Sequence, residues 1–335
     1  MLIGLTYDLK DDYLGQGFTA EQAAEFDTPE TIEAIETALK ALGYETERIG
    51  HIKALVKALD QGKRWDLVFN IAEGIKGIAR EAQVPGLLDA YEIPYTFSSP
   101  DVLIKCMDKA LAKLLVKDAG VATAPFAVVK SKKDIETVTL PYPLFVKPLA
   151  EGSSKGISPH SVIASQESLK TYCVLLLEKT SHPVLVESYL PGREFTVGML
   201  GTGKATKVIG IMEVVLETQS EPEGRTLLNK EGDWKNPENF TLLEEGKLRD
   251  EIETLCLKAW TALGCRDSGR IDVRCNARGQ PYFIEANPLA GLNPHTSDLP
   301  LLYQKTSGTY QDLIATILQE CNRRTGCVED CDIAV

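Results

Sequence analysis

The sequence predicts an α/β protein that begins with a parallel sheet and continues into antiparallel hairpins. Apolar runs of strand length, LIGLTY (2–7) and DLVFNIA (66–72), alternate with helical segments, as in strands joined by crossover helices. The later half runs strand, turn, strand, which is hairpin patterning. No stretch approaches the roughly 20 apolar residues a membrane-spanning helix needs, and no internal repeat or low-complexity tract interrupts the order.

After LIGLTY comes a polar connection and then TPETIEAIETALKALG (28–43). Thr28 stands at its cap position and Pro29 in its first turn, and Ile32, Ile35, Leu39 and Leu42 form one apolar stripe before Gly43. Residues 81–92 read as a helix, and IPYTFSSP (93–100) as a domain edge. A single helix is predicted from about Asp101 to Ala119, closing on Gly120. PLFVKPLAEGSSKGISPHSVI (143–163) gives strand, Gly/Ser-rich turn and strand, and PVLVESYLPGREFTVGML (183–200) two short strands around Pro191-Gly192. Segment 246–263 is a helix with Leu248, Ile252, Leu255, Ala259 and Leu263 inward. GRIDVRCNARGQPYFIEAN (269–287) is a hairpin turning at Arg278-Gly279, and a last helix spans about 309–322.

The 335 residues, 44% hydrophobic and 25% charged, suit two or three modest domains. A net charge of −12 without a basic run argues against nucleic acid and for small-molecule chemistry. The start, MLIGLTYDLK, has no basic region followed by an apolar core, so a cytoplasmic location is expected. The eight cysteines form no CxxC pair and read as buried thiols in a reducing compartment; the tail CNRRTGCVEDCDIAV reads as a loose terminal segment.

The chemistry concentrates in IEANPLAGLNPHT (284–296). Glu285 and Asn287 lie two apart on a strand and so share a face. Folding the hairpin at Arg278-Gly279 lays Asp272 opposite Glu285 and Arg270 opposite Asn287, within the ~5 Å of cross-strand pairs. Two carboxylates that close repel unless a cation sits between them. Hard oxygen ligands of this kind suit Mg²⁺; the alternative is a structural ion pair in which Arg270 alone neutralises both. EGSSKGIS (151–158) supplies small residues whose backbone N–H groups can converge on an anion, and Lys147 ends an apolar strand beside it; a mobile hairpin with a snorkelling lysine is the alternative. GMLGTGKA (198–205) has Walker-like spacing, but Ala205 replaces the Ser/Thr and strand-like sequence follows, so Gly201–Gly203 is read as a hairpin turn.

With MDKALAKLLVKDAGVATAPF, FVKPLAEGSSKGIS, VLVESYLPGREFTVGML and GRIDVR…YFIEANPLAGLNPHTS in this order, the chain resembles the ATP-grasp ligases, D-alanine–D-alanine ligase and its relatives most closely. The resemblance covers nearly the whole chain. It implies a three-domain ATP-grasp architecture: an N-terminal domain at 1–103, a central ATP-binding domain at 104–191 and a C-terminal catalytic domain at 192–335, with nucleotide between the last two. It implies ATP and Mg²⁺ (or Mn²⁺) as cofactors, amino-acid or small-peptide substrates, and a homodimer. Lys109 and Lys147 would hold ATP phosphates, with Ser153 and Ser154 in the loop closing over them. Glu187, with Tyr189 and Leu190, would meet the adenine, and Glu194 the ribose. Asp272, Glu285 and Asn287 would hold the metal, and Arg270 with the Gly291 N–H the tetrahedral intermediate. Thr296 would grip the acceptor carboxylate, and Lys230 in LLNKEGDW would reach the γ-phosphate.

The N-terminal third departs from the family pattern. YDLKDDYLGQGF follows the first strand where the family has GGxSxExxVS, and NIAEGIKGIAREAQ replaces HGxxGE. The donor pocket is thus rewritten, and Glu73, or one of Asp8, Asp11 and Asp12, is the candidate partner for a donor ammonium. Three functions stand: a carboxylate–amine ligase; a nucleotide-binding protein without ligation, which would not need Arg270; and a dinucleotide-dependent oxidoreductase, which would need a GxGxxG absent after the first strand.

Overall fold

The computed structural model describes residues 1–180, 182–214 and 241–326; Lys230, Cys327 and Cys331 lie outside them. Three sheets form. The first is parallel, in the order β2-β1-β3, from β1 (Leu2–Thr6), β2 (Glu45–Gly50) and β3 (Leu67–Asn70). Short helix α1 (Lys10–Gly15) and the longer α2 (Pro29–Ala41) lead from β1 to β2, and α3 (Ile52–Asp60) from β2 to β3. On α2, Ile32, Ile35 and Leu39 are buried as their spacing predicts, and Pro29 takes the first turn. Thr28 holds the cap position but makes no capping hydrogen bond; its hydroxyl lies 3.4 Å from that of Thr31.

Helix α4 (Gln83–Ala90) precedes the segment 93–99. The predicted single helix at 101–119 is instead two, α5 (Pro100–Met107) and α6 (Lys109–Asp118). Asp108 has extended backbone between them, and its carboxylate accepts from the N–H groups of Ala110 and Leu111, both at 3.0 Å. An N-cap aspartate inside a helical run restarts the helix, and here it sets Lys109 at the head of α6.

The second sheet, β4-β7-β5-β6, is antiparallel and consists of β4 (Phe126–Val129), β5 (Leu144–Pro148), β6 (Val162–Ile163) and β7 (Val184–Ser188), backed by α7 (Gln166–Thr180). The third is also antiparallel, β10-β9-β8-β11-β12, from β8 (Glu194–Leu200), β9 (Lys207–Glu213), β10 (Thr241–Leu242), β11 (Ser268–Cys275) and β12 (Pro281–Asn287). Residues 201–206 turn β8 into β9, so the Walker-like stretch is a hairpin connection. Helix α8 (Lys247–Leu263) packs Ile252, Cys256, Ala259 and Trp260 into the core beneath this sheet, with Leu248 partly buried. Helices α9 (Asp298–Thr306) and α10 (Tyr310–Thr325) follow. Leu313, Ile314, Ile317 and Leu318 of α10 share one core with Ile3, Leu5, Ile32, Ile35 and Leu39, which fastens the end of the described chain to its first sheet. The six described cysteines are free and buried.

The β11–β12 register pairs Asp272 with Glu285 and Arg270 with Asn287, as the hairpin reading places them, although the turn differs. Asn276 N–H donates to Gln280 O at 2.9 Å, and Gly279 takes φ +78°, so the turn centres on Arg278. The pairing then shifts between Asp272 and Val273, leaving Ile284 as an extra residue. This β-bulge restores the predicted pairing at the site. It also sends Phe283 into the core, fully buried, while Ile284 and Glu285 both face the cleft.

Candidate active site

Two neighbouring cavities meet at the ends of β11 and β12. The larger, about 440 Å³, is lined by Lys109, Gly152 and Ser153, by Arg270, Glu285 and Asn287, by Gly291 and Thr296, and on the N-terminal side by Glu25, Asp27, Glu73 and Glu81. The smaller, about 90 Å³, is lined by Lys147, Ser154, Ile157, Glu187, Tyr189, Leu190, Glu194, Asp272 and Arg274. Arg270 and Glu285 line both. Apart from Asp8, Asp11 and Asp12, every described site residue taken from the sequence therefore borders one cavity or the other.

Arg270 donates to both Asp272 oxygens, at 2.5 Å to Oδ1, and its Nε lies 4.0 Å from Asp298 Oδ2. Burial works against the guanidinium charge, but Asp272, Asp298 and Glu285 outweigh it, and Arg270 stays cationic. Thr196 on β8 donates to Asp272 Oδ1 at 3.0 Å, and the Asn287 amide to Asp272 Oδ2 at 3.3 Å. Lys109 Nζ reaches Glu151 O at 2.6 Å and lies 3.4 Å from Glu285 Oε2. Among the described residues no three His, Cys, Asp or Glu side chains gather as metal ligands. Asp272, Glu285 and Asn287 supply two carboxylates and an amide oxygen, a donor set that fits Mg²⁺ with other groups completing its shell.

Behind the smaller cavity lies a buried charge triad absent from the sequence reading. Lys147 Nζ is 3.0 Å from Glu187 Oε1, and Lys113 Nζ makes an ion contact of 2.8 Å with Oε2. Lys113 also donates to Thr123 Oγ1 at 2.9 Å. Burial alone would push the Glu187 carboxyl up, but Lys113 and Lys147 hold it down at about 2. For Lys113 burial wins and its ammonium is lowered; for Lys147 the attraction of Glu187 and Glu285 overcomes burial and raises it. Lys113 sits four residues after Lys109, on the same helical face, and that spacing was the available signal.

The loop after β12 is pinned by Asn293, also missed. Its side-chain oxygen accepts from the N–H groups of His295 and Thr296 at 3.0 and 3.1 Å, while its amide donates to Glu30 and Thr31 at 3.2 Å. This holds Gly291 and Thr296 at the larger cavity.

On the N-terminal side only part of the reading survives. Glu73 borders the larger cavity, but Asp8 does not: its carboxylate accepts from Tyr13 Oη and, at 2.9 Å, from the Gly74 N–H, which makes it structural. Asp11 and Asp12 are exposed on α1 and line neither cavity. Burial, then the charges of Glu81 and Glu25, push the Glu73 carboxyl well up. Burial likewise carries Glu81 to about 7 against the pull of Arg80, and Asp27 to about 7 with Asp8 adding to the rise.

This architecture is shared with solved structures. D-alanine–D-alanine ligase from Bacillus anthracis complexed with ATP matches with a TM-score of 0.73 at 19% identity, over 97% of this chain and 99% of that one. VanG D-Ala:D-Ser ligase from Enterococcus faecalis gives 0.71 at 20% identity, over 96% and 99%. The fold is thus that of the ATP-grasp ligases. In sequence, the family model "D-ala D-ala ligase C-terminus" matches residues 115–319. D-alanine–D-alanine ligase of Aquifex aeolicus is 31% identical over 86% of this chain and 93% of its own length, and an uncharacterized protein of Sinorhizobium fredii is 31% identical over 87% of each. The chain belongs to the D-alanine–D-alanine ligase family and is an ATP-dependent ligase.

Proposed function

We propose that the protein joins the carboxylate of an amino acid or small peptide to the amine of a second one through an acyl phosphate. The observation that carries this reading is that Arg270 and Glu285 border both cavities, so a phosphoryl group and an acyl carbon can be handled at one place. Lys109 and Lys147 would meet phosphate oxygens, with Glu194, Tyr189 and Leu190 around the nucleoside and Ser153 and Ser154 over the phosphates. Asp272, Glu285 and Asn287 would hold Mg²⁺, or Mn²⁺, which supplies charge neutralisation at the phosphates. The donor carboxylate attacks the terminal phosphorus and ADP leaves. The acceptor amine then attacks the acyl carbon, Arg270 and the Gly291 N–H receive the oxyanion, and phosphate departs as the amine loses its proton. Thr296 would grip the acceptor carboxylate.

Glu73 is the donor-ammonium partner in this reading, with Glu81 and Asp27 beside it on the same cavity wall. Phosphate release with D-alanine alone is expected to be slow beside at least one other acid in a panel of D- and L-amino acids and small peptides. Glu73→Gln should raise the donor KM about tenfold or more, the value of one charged contact, and leave the ATP KM within about twofold. Efficient D-alanine self-condensation indifferent to Glu73→Gln would refute the assignment. Because Glu81 and Asp27 ionise near 7, the cavity wall gains negative charge as pH rises through that value. The donor KM should therefore fall between pH 6 and 8, and less so in Glu81→Gln.

Lys147→Ala is expected to weaken ATP binding by about tenfold to a hundredfold, the loss of one charge-assisted contact; parent-like affinity by titration calorimetry would remove Lys147 from the phosphate site. The division at 1–103, 104–191 and 192–335 is supported by one sheet falling within each range. A homodimer and a cytoplasmic location complete the proposal. The net charge of −12 favours small-molecule partners over nucleic acid, and among the described residues no helix is long and apolar enough to cross a membrane.

A further inference from the structure

We infer that Glu25 is a positioning residue that ties the Gly/Ser loop to the wall of the substrate cavity and so keeps the phosphorylated intermediate from water. The inference rests on the ligase reading above. Four contacts converge on this carboxylate and its neighbour Arg80. Lys155 Nζ lies 2.7 Å from Glu25 Oε2, and Arg80 Nη2 donates to Glu25 Oε1 and Oε2 at 3.1 and 3.2 Å. Arg80 Nη1 donates to Ala150 O, just before the loop, at 3.1 Å. At Gly152 the loop passes so close that an added Cβ would fall 2.3 Å from Glu25 Oε1.

The Glu25 and Arg80 side chains are only 6% exposed, so these ion pairs escape most of the screening that weakens surface pairs. Within the loop, Lys155 N–H donates to Gly152 O at 3.0 Å and Ile157 N–H to Ser154 O at 3.1 Å, but these turns carry strained backbone. Ser153 and Ser154 adopt φ of +47° and +58°, left-handed conformations that non-glycine residues keep only when their surroundings enforce them. The tie joins two walls of the site: Gly152, Ser153 and Ser154 border the two cavities, while Phe26, Asp27 and Thr28, next to Glu25, wall the larger one. Burial pushes the Glu25 carboxyl up, yet Arg80 and Lys155 hold it below its ordinary value, so it stays ionised to receive the lysine.

The test uses the full chain, with Lys155→Met as the main variant because Lys155 lies on the loop rather than in a core. Phosphate released per amide formed should rise at least about tenfold as water reaches the intermediate. The kcat for amide should fall about tenfold to a hundredfold, with the donor KM within about threefold, and Lys155→Arg should restore coupling. Glu25→Gln should act in the same direction. Without any ligand, amide hydrogen exchange across 151–156 should quicken about tenfold in Lys155→Met, as for a loop that loses its tertiary tie. A parent-like phosphate-to-amide ratio, or parent-like exchange, overturns the proposal. If the parent itself forms no amide with any acid tested, the ligase reading fails instead, and the exchange comparison still decides whether the tie holds the loop.

Discussion

Glu285→Gln is expected to lower amide formation by about 10²–10³-fold, the cost of removing one preorganised charged group from a reaction centre, while the fold survives. The substitution is nearly isosteric, and Glu285 is not core: it faces the cleft beside Ile284 because the bulge in β12 turns both outward. Lys109, 3.4 Å from Glu285, keeps the Glu151 carbonyl as a partner, so its ammonium is not stranded. Asp272→Asn should act likewise on turnover, although it also releases Arg270 from a contact present without ligand. Single-turnover amide formation followed by mass spectrometry, with circular dichroism to check the fold, measures both. Turnover within about tenfold of the parent in either variant would be too small a loss for a charge of this kind and would remove the pair from the metal site.

The face shared by β11 and β12 was legible because strand pairing obeys simple periodicity. A two-residue repeat put Glu285 and Asn287 on one face, and hairpin folding set Asp272 and Arg270 against them, as the structure does. The pairing came out right through two features that offset each other: a turn centred one half-step earlier than read, and a bulge at Ile284. A bulge has no strong residue signature, so a core Phe283 two positions from a cleft-facing Glu285 was not foreseeable from alternation. The split of the 101–119 helix was more accessible, since Asp108 before KALAK is an N-cap pattern within an apolar run. Pro300 sits in the first turn of α9, where its missing N–H costs little, yet it masks that helix in the sequence. Glu25, Arg80 and Lys155 were not legible at all. Their contacts join positions 55 to 130 residues apart, and no local period records which acid on the N-terminal segment meets which cation on a distant loop.

Glu187→Gln is expected to be the most destabilising single change at the site. Lys113 and Lys147 are 0% and 5% exposed in their side chains, and the 4% exposed Glu187 is the carboxylate between them. Removing one partner from a buried ion pair typically costs about 3–5 kcal/mol, because it leaves charge uncompensated in a poorly solvated place. Here the remaining charges are two like ammoniums, which raises the penalty further. The denaturation midpoint should drop accordingly, and Lys113→Met combined with Glu187→Gln should recover part of the loss, since it removes one of the stranded cations. The pH dependence has a definite sign. The Glu187 carboxyl is depressed from its ordinary 4.5 to about 2, so its stabilisation is complete above pH 4.5 and is lost as pH falls toward 2. The gap between parent and Glu187→Gln, measured by denaturant titration, should therefore be largest near neutrality and shrink between pH 4.5 and 2. A gap that stays constant over that range would mean that the charge of Glu187 does not hold this part of the fold together.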